Sequence, residues 1–225
     1  MPLHKIEKML SFAENEKTFF ERIRKYHSVY SPEYRMIERA YDNALNAFSE
    51  TYRDGGQPYF THVRAVAIIL IEYLHIYERA DLIYAPHELL ITGMLHDNPE
   101  DRPDIWPLSR VARDYNENVA LLSDYISKRP KAEFGGNEEK QLAFYHNRFS
   151  TAPKDVFIIK LSDRLHNQLT LWSCDEQKIR RKMQETQDIY LPLARKWGIL
   201  VHELEATIDS FEDRLKQHLQ KCAIL

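Results

Sequence analysis

The sequence predicts an all-α fold, a bundle of about ten helices, from three observations. Only 6 of the 225 residues are glycine, and apolar residues recur three or four positions apart along most of the chain. Proline stands at several of the expected helix starts, where its fixed φ is suited to the first turn. Residues 156–159 are apolar enough for a buried strand, but no second strand pattern exists to pair with them. We therefore expect a helix there too.

The first predicted helix begins at Pro32, after the capping hydroxyl of Ser31 and before the acidic Glu33. It is expected to end before the glycine pair Gly55 and Gly56. Its apolar stripe is formed by Met36, Ile37, Ala40, Tyr41, Ala44, Leu45 and Phe48.

Further helices are predicted along the rest of the chain. Pro58 and Pro86 are each expected to open a helix, and the first of these helices carries His62. Residues 131–137 hold two glycines and mixed charge, which predicts a loop. Helices are predicted as two short elements within 103–128 and then near 138–149, 154–172, 175–189 and 198–221. Without an internal repeat or linker, residues 1–225 are expected to form a single domain.

The net charge of −3 argues against a general grip on a nucleic-acid polymer or an anionic membrane. The two cysteines, Cys174 and Cys222, are too few for a disulfide framework, which favours a reducing, cytoplasmic compartment. No apolar run approaches the ~20 residues of a membrane span, and the first residues lack a signal-peptide core. Residues 222–225 formally fit a prenylation box, but a frayed helical tail is the preferred interpretation.

The most informative segment contains adjacent His96 and Asp97, followed by Glu100 and Asp101. Burying an ionised Asp beside a His at the end of an apolar helix is costly unless a partner compensates both. A divalent cation does so, because imidazole nitrogen and carboxylate oxygen are both good ligands for Mn, Fe or Zn. For the dipeptide alone, a surface His–Asp hydrogen bond is the simpler explanation.

Two further polar residues lie within apolar helices. His62 interrupts a largely apolar face, and Asp163 follows the apolar residues 156–159. Each has a structural alternative, a core histidine bonded to a carbonyl and a buried aspartate paired with Arg164. Four ligand-type residues on apolar helices fit one metal site better than four separate exceptions. The sequence therefore predicts a metal centre of His62, His96, Asp97 and Asp163.

These residues stand in three boxes that resemble the HD-superfamily hydrolase domain of RelA/SpoT homologues, and among them the single-domain small alarmone hydrolases. The resemblance covers roughly residues 35–210 and implies the HD-type helical bundle around a metal site. The chain has no room for a synthetase-type domain besides it. The matching segments are 53–62 ending in His62, 96–101 beginning with His96-Asp97, 160–167 around Asp163, Glu185-Thr186, 189–194 and Gly198.

The resemblance implies hydrolysis of the 3′-pyrophosphate of a purine nucleotide such as (p)ppGpp, giving GDP or GTP and pyrophosphate, with one Mn²⁺ as the usual metal. A metal on three or four protein ligands keeps positions open for water and a phosphate oxygen. By analogy Glu100 and Asp101 are catalytic, orienting or deprotonating the attacking water and serving the leaving group. We expect the same turn to be an acidic helix start, capped by Asn98 with Pro99 at its first position.

The resemblance also implies substrate-binding residues. Asn167, on the same helix face as Asp163, and Thr170 would hold the substrate, and the flat guanidinium of Arg53 would stack on the purine. Lys160 and Arg164 flank Asp163 and either orient it or touch phosphate; a structural ion pair is the equal alternative.

Several positions depart from the family pattern, and the departure that matters most is Asp54. The family often has a lysine there, and an acid near a polyphosphate is electrostatically unfavourable. Arg102 is a candidate to restore the positive charge. Val63 and Leu169 also differ from the usual residues but touch no proposed ligand. These departures leave the base open between guanosine and adenosine.

Two alternatives follow. One is an HD phosphohydrolase acting on (p)ppApp or on another nucleotide or phosphoester. The other is a non-catalytic, alarmone-binding regulatory module, which would keep Arg53 and Asn167 but lose ligands or the acid pair. The expected partner is a nucleotide substrate, with no nucleic-acid polymer and no membrane, while oligomeric state and regulation are left open.

Overall fold

The computed structural model describes residues 15–76 and 82–222, and within these ranges the chain forms helices and no strand. An isolated antiparallel bridge joins Tyr52 and Pro58. The all-α prediction is thereby confirmed. The α-helices are α1 (Glu16–Ile23), α2 (Pro32–Ala47), α3 (Phe60–Ile76), α4 (Pro86–Leu95), α5 (Asn98–Asp101), α6 (Leu108–Asp114), α7 (Glu117–Ile126), α8 (Glu138–Asn147), α9 (Lys154–Leu169), α10 (Glu176–Glu185), α11 (Leu191–Trp197), α12 (Val201–Asp209) and α13 (Phe211–Cys222).

Short helices of other types fill several connections. Three are 3-10 helices, Lys131–Phe134, Arg148–Ser150 and Leu171–Ser173, so the loop predicted for residues 131–137 is partly helical. A π turn, Thr186–Tyr190, joins α10 to α11. Pro192 in the first turn of α11 has no N–H to donate to the preceding turn, which accounts for the wider turn there.

Other differences from the predicted elements are local. Pro58 takes part in the bridge to Tyr52, so α3 begins two residues later, at Phe60. The helix predicted for 198–221 is interrupted at Ser210. Leu45, placed on the apolar stripe of α2, is exposed, whereas the rest of that stripe faces the core or its margin. Helices α1 and α11 were not predicted at all. Residues 223–225 of the prenylation-like motif lie outside the described residues.

Helices α3, α4 and α9 form the centre of the bundle. Helix α4 packs against α2, α3 and α7, and α9 packs against α3, α4 and α7. The four consecutive apolar residues 156–159 point to all sides of α9, and all four are buried because other helices pack around this helix. The polar residues His62, His96 and Asp163 thus come from the most buried part of the molecule.

No helix within the described ranges has both the length and the apolar character needed to cross a membrane.

Gly93 permits the close approach of α4 to α3. A Cβ at this position would lie 2.1 Å from Cδ1 of Leu70, which is itself fully buried. We expect Gly93→Ala to lower the free energy of unfolding by about 1–3 kcal/mol through overpacking, measured by urea denaturation. Helix propensity alone would give the opposite sign, a gain of about 1 kcal/mol.

The Leu70→Ala background supplies the control, because it makes room for the added methyl group. The penalty of Gly93→Ala should shrink in that background. A stabilising or neutral Gly93→Ala in the natural background would show that Leu70 does not restrict this position.

Candidate active site

The four predicted metal ligands come together where α3, α4 and α9 meet. The Nε2 atoms of His62 and His96 lie 3.2 Å apart. Asp163 Oδ1 lies 3.4 Å from Nε2 of His62 and 3.7 Å from Nε2 of His96. Asp97 Oδ2 lies 3.7 Å and 2.9 Å from the same two nitrogens. Donor atoms of His62, His96 and Asp163 all lie within 4.8 Å of one another, and Asp97 Oδ2 joins this group through its contacts with the two histidines.

This donor set fits a divalent cation. Ligand atoms bound to one ion at about 2.0–2.2 Å are separated from each other by roughly 3.0–3.5 Å, which is close to the spacings found here. Although burial opposes the charged form, the Asp97 carboxylate, with further help from Asp163, raises the pKa of His96 to about 9. Burial instead holds the pKa of His62 below its usual value, which favours the neutral imidazole that a metal requires.

The turn after α4 places His96 and Asp97, but its capping differs from the prediction. Asp97 occupies the N-cap position of α5, without a side-chain capping bond, and Asn98 is the first helical residue. Pro99 is therefore second rather than first. The Asp97 side chain is free of a capping role and points instead to the two histidines.

Hydrogen bonds orient both histidines. Nδ1 of His96 lies 2.7 Å from the carbonyl oxygen of Gly93, to which it donates, so that Nε2 faces the carboxylates. Nδ1 of His62 lies 2.8 Å from Nδ1 of His166. Arg53 Nη1 lies 3.3 Å from that same His166 nitrogen. His166 Nδ1 thus serves as an acceptor, and His62 donates its Nδ1 proton and keeps Nε2 for the metal.

Burial, reinforced by His62 and Arg53, holds the pKa of His166 well below its usual range. A neutral imidazole is what an acceptor at Nδ1 requires. His166 was not among the predicted site residues, although it lies three positions after Asp163 and therefore on the same face of α9.

Hydrogen bonds from neighbouring side chains also orient the two aspartates. Tyr59 donates its hydroxyl to Asp97 Oδ2 at 2.7 Å. Lys160 Nζ donates to Asp163 Oδ2 at 2.9 Å, and Asn167 Nδ2 donates to Asp163 Oδ1 at 2.6 Å. Despite its burial, Asp163 has a pKa well below the usual range, chiefly because of Lys160. Of the two partners considered for Asp163 among its neighbours, Lys160 makes the contact and Arg164 does not.

A cavity of about 270 Å³ opens over the metal centre, and its wall contains all the predicted site residues except His96. The wall consists of Arg53, Asp54, Tyr59, His62, Asp97, Glu100, Asp101, Lys128, Leu142, Tyr145, Lys160, Asp163, Arg164, Asn167, Thr170, Leu171, Ser173, Cys174, Lys178, Lys182, Glu185 and Tyr190.

The two acids of the predicted catalytic pair have different surroundings. Glu100 Oε2 accepts a hydrogen bond from the backbone N–H of Lys128 at 2.9 Å, and Oε1 accepts from the ammonium of the same lysine. Partial burial, with the Asp97 and Glu100 carboxylates nearby, raises the pKa of Asp101 to about 6. One acid is thus held in place as an acceptor, and the other gains affinity for a proton near neutral pH.

Arg164 and Thr170 line the cavity while serving the fold. Arg164 pairs with Glu185 at 3.2 Å, and its guanidinium lies 3.9 Å from the centre of the Tyr190 ring. Burial opposes ionisation of Glu185, but Arg164 and Lys182 outweigh it and lower the pKa of this carboxyl to about 2. Thr170 Oγ1 donates to the carbonyl oxygen of His166 at 2.9 Å.

Arg53 is anchored to α9 and not free in solvent. Besides its contact with His166, it donates from Nη2 to Asn167 Oδ1 at 2.9 Å. Arg102, the candidate to compensate Asp54, bonds to Thr51 at 3.0 Å and does not line the cavity. Lys178 pairs with Asp54 instead.

Sequence reasoning missed Tyr59, Lys128, His166, Lys178 and Lys182. Tyr59 lies three residues before His62, as His166 lies three after Asp163, so helical spacing from a proposed ligand was an available clue. The lysines carry no such clue, because they reach the cavity from α10 and from the segment after α7, both remote in sequence from the ligands.

His166 provides a test of how the metal centre is oriented. Replacing it with phenylalanine removes the acceptor for His62 while roughly conserving ring size. We expect a 10–100-fold loss of Mn²⁺ affinity, measured by calorimetric titration. Glutamine, whose carbonyl can accept a hydrogen bond, should restore part of the affinity.

His27→Phe, a half-buried histidine after α1, serves as the matched control and should leave Mn²⁺ affinity unchanged. Equal affinity in His166→Phe and the natural protein would contradict the orienting role of His166.

The chain was compared with protein families, with characterised proteins and with solved structures. A family model described as "HD domain" matches residues 40–200. The chain is 35% identical over 166 residues to a Haemophilus influenzae protein named guanosine-3′,5′-bis(diphosphate) 3′-pyrophosphohydrolase, covering 72% of this chain and 23% of that protein. It is 32% identical over 194 residues to the Escherichia coli bifunctional (p)ppGpp synthase/hydrolase SpoT, covering 84% and 26%. A Streptomyces coelicolor GTP pyrophosphokinase is 37% identical over 167 residues, covering 73% and 18%.

The chain therefore spans about a quarter or less of the length of these relatives. Among solved structures, one described as a metazoan orthologue of SpoT that hydrolyses ppGpp superposes with a TM-score of 0.64. The match has 15% sequence identity and covers 80% of this chain and 96% of that one. At this identity the likeness concerns the fold.

Proposed function

We propose that this chain, which belongs to the HD domain family, is a divalent-metal-dependent hydrolase of purine nucleotides that carry a 3′-pyrophosphate, such as (p)ppGpp. The products would be GDP or GTP and pyrophosphate, and the proposed metal is Mn²⁺. The observation that carries the proposal is the cluster of His62, His96 and Asp163, with Asp97 against both histidines, beside a cavity whose wall also holds Glu100 and Asp101.

The relatives support the substrate class. The H. influenzae and E. coli proteins are named for the hydrolysis or the synthesis and hydrolysis of 3′-pyrophosphorylated guanosine nucleotides. Because the chain matches only part of each relative, their activities apply here as a proposal. The matched part of this chain contains the four proposed ligands together with Glu100 and Asp101, since residues 62–163 lie within the HD domain match.

In the proposed reaction, water adds to the phosphorus bonded to the ribose 3′-oxygen, and the bond between that phosphorus and the 3′-oxygen breaks. A divalent cation on the two histidines and two aspartates would polarise a phosphate oxygen and lower the pKa of a water molecule. Glu100, fixed at both oxygens by Lys128, orients the water and accepts its proton.

Asp101 is suited to the complementary step. With its pKa raised to about 6, it can be protonated near neutral pH and give a proton to the 3′-oxygen as that oxygen leaves. Two carboxyl groups with different environments thus take opposite roles. The proton taken from water and the proton given to the ribose balance over the cycle.

The cations of the cavity compensate the charge of the leaving pyrophosphate. Lys128, Lys160, Arg164 and Lys182 all line the wall and are held by carboxylates or by the Tyr190 ring. Side chains that are already positioned lose little freedom on binding and stabilise developing negative charge without reorganising. Arg53, anchored to α9, would contact the nucleoside.

The experiment is a panel of ppGpp, pppGpp, ppApp, GTP and ATP, each incubated with Mn²⁺, Mg²⁺ or a chelator, with products separated by ion-exchange chromatography. We expect pyrophosphate from the 3′-pyrophosphorylated nucleotides with Mn²⁺ and none with chelator. Release of phosphate from GTP or ATP in preference would contradict the substrate class. Tight ppGpp binding without turnover, with Mn²⁺ supplied, would instead identify a non-catalytic binding module.

A further inference from the structure

A partly exposed ion pair between Asp54 and Lys178 lies in the wall of the cavity. Lys178 Nζ, on α10, lies 2.6 Å from Asp54 Oδ2, and the Cys174 thiol lies 3.2 Å from the same oxygen. The side chains of Asp54 and Lys178 are 53% and 39% exposed, and both line the cavity. Neither residue has a role in holding the metal centre, so the pair is available for contact with a ligand.

The residues on either side of Asp54 are fixed by contacts with α9 and with the 3-10 helix that follows it. Arg53, the residue before Asp54, bonds to Asn167, and Asn167 bonds to the metal-centre residue Asp163. A Cβ on Gly55 would lie 3.1 Å from the Cβ of Ser173, so the segment after Asp54 packs closely on the 3-10 helix that follows α9. Asp54 is therefore placed at a fixed distance from the metal centre, through a short series of contacts on one helix.

The pair offers both an acceptor and a donor to the cavity. Within the described part of the chain, both hydrogen bonds of Asp54 are made to Oδ2, which leaves Oδ1 to accept others. The Lys178 ammonium has three protons, and one is used by Asp54. A contact with Lys178 lowers the pKa of Asp54, so the group is a carboxylate at neutral pH.

We propose that Asp54 and Lys178 bind the edge of a guanine base and make the enzyme selective for guanosine over adenosine 3′-pyrophosphates. The inference rests on the proposed function. Guanine presents two adjacent donors, N1–H and N2–H, next to the acceptor O6. These match the carboxylate of Asp54 and the ammonium of Lys178 respectively.

Adenine presents fewer matching hydrogen-bonding groups to Asp54 and Lys178 than guanine does. Its 6-position carries a donor where guanine has an acceptor, and its N1 is an acceptor where guanine has a donor. In the orientation that suits guanine, adenine would place an acceptor against the carboxylate and a donor against the ammonium. A site built from hydrogen-bonding groups discriminates strongly against a ligand that leaves those groups unmatched.

The alternative role for the pair is a structural one, in which it only ties the segment after Arg53 to α10. The two roles differ in what happens when the charges are exchanged. The double variant Asp54→Lys with Lys178→Asp retains an ion pair between the same positions but reverses the order of donor and acceptor. A structural tie would keep guanine selectivity, whereas base recognition would lose it.

The test measures kcat/KM for ppGpp and ppApp with Mn²⁺. We expect the natural protein to favour ppGpp by at least about 10-fold, and Asp54→Ala and Lys178→Met to reduce that ratio by about 10-fold, mainly through KM for ppGpp. The exchanged double variant should not recover the ratio. Arg180→Gln, which removes the exposed Arg180–Glu176 pair on the same helix, is the matched control and should leave the ratio unchanged.

Three outcomes would overturn the inference: a natural protein that does not favour ppGpp, a ratio that is unchanged in Asp54→Ala, or full selectivity in the exchanged variant. Thermal unfolding of each variant shows whether it is folded. Failure of the proposed function would be distinguishable from failure of this inference, because the natural protein would then release pyrophosphate from neither ppGpp nor ppApp.

Discussion

Replacing His62 or Asp97 by alanine is expected to remove bound metal and hydrolytic activity together. Each change deletes one of the four proposed donors, and a cation held by the remainder would lose both charge balance and geometry. Activity should fall to the level of the chelator-treated protein. Metal content after Mn²⁺ loading and desalting, determined by mass spectrometry, is the readout that separates loss of metal from loss of chemistry.

The control for the aspartate is Asp114→Ala, at the end of α6. Asp114 pairs with Arg110 and Arg113 on the surface and lies outside the cavity wall. It should retain metal and activity. If His62→Ala or Asp97→Ala kept a full equivalent of Mn²⁺ and turned over substrate, the assignment of these side chains as ligands would be wrong.

Glu100→Gln is expected to lower kcat by about 10²–10⁴-fold while metal stays bound. The amide conserves size and can still accept the backbone N–H of Lys128, but it can no longer take a proton from water. KM should change little, since Glu100 is proposed to act on the attacking water and not on the nucleotide. Steady-state kinetics with ppGpp and metal analysis of the same sample provide the measurements.

Glu139→Gln, an exposed residue of α8, is the matched control and should behave as the natural protein. Loss of metal in Glu100→Gln would place Glu100 among the ligands. An unchanged kcat would transfer its role to Asp101, whose pKa is raised to about 6 by partial burial and neighbouring carboxylates.

The helices that could be predicted are those whose ends are marked in the local sequence. Pro32 after Ser31 and Pro86 begin helices as expected, because proline and a capping hydroxyl act within one turn. Helix α11 follows the π turn Thr186–Tyr190, which interrupts the usual apolar spacing and hides the element from a periodicity argument. The break at Ser210 likewise has no proline or glycine to mark it.

For the site, residue type and apolar surroundings nominated four candidate ligands, each with a structural alternative, and the family resemblance of the three boxes favoured the metal centre. His62, His96, Asp97 and Asp163 are conspicuous because a polar group in an apolar helix needs a partner. The local sequence does not show which side chain hydrogen-bonds to each of these residues. Nothing in the local pattern distinguishes Lys160 from Arg164 as the group that bonds to Asp163, since both flank it.

Composition and periodicity thus predicted the helical class and, together with the family resemblance, a candidate set of metal ligands, because helix formation and the ligand boxes both depend on neighbours within a few turns of the chain. Tertiary packing decided the contacts that span long sequence separations: Lys128 on Glu100, His166 behind His62, and Lys178 on Asp54. These contacts depend on how α3, α5, α7, α9 and α10 are arranged in space, and that arrangement comes from burying apolar faces of the helices together.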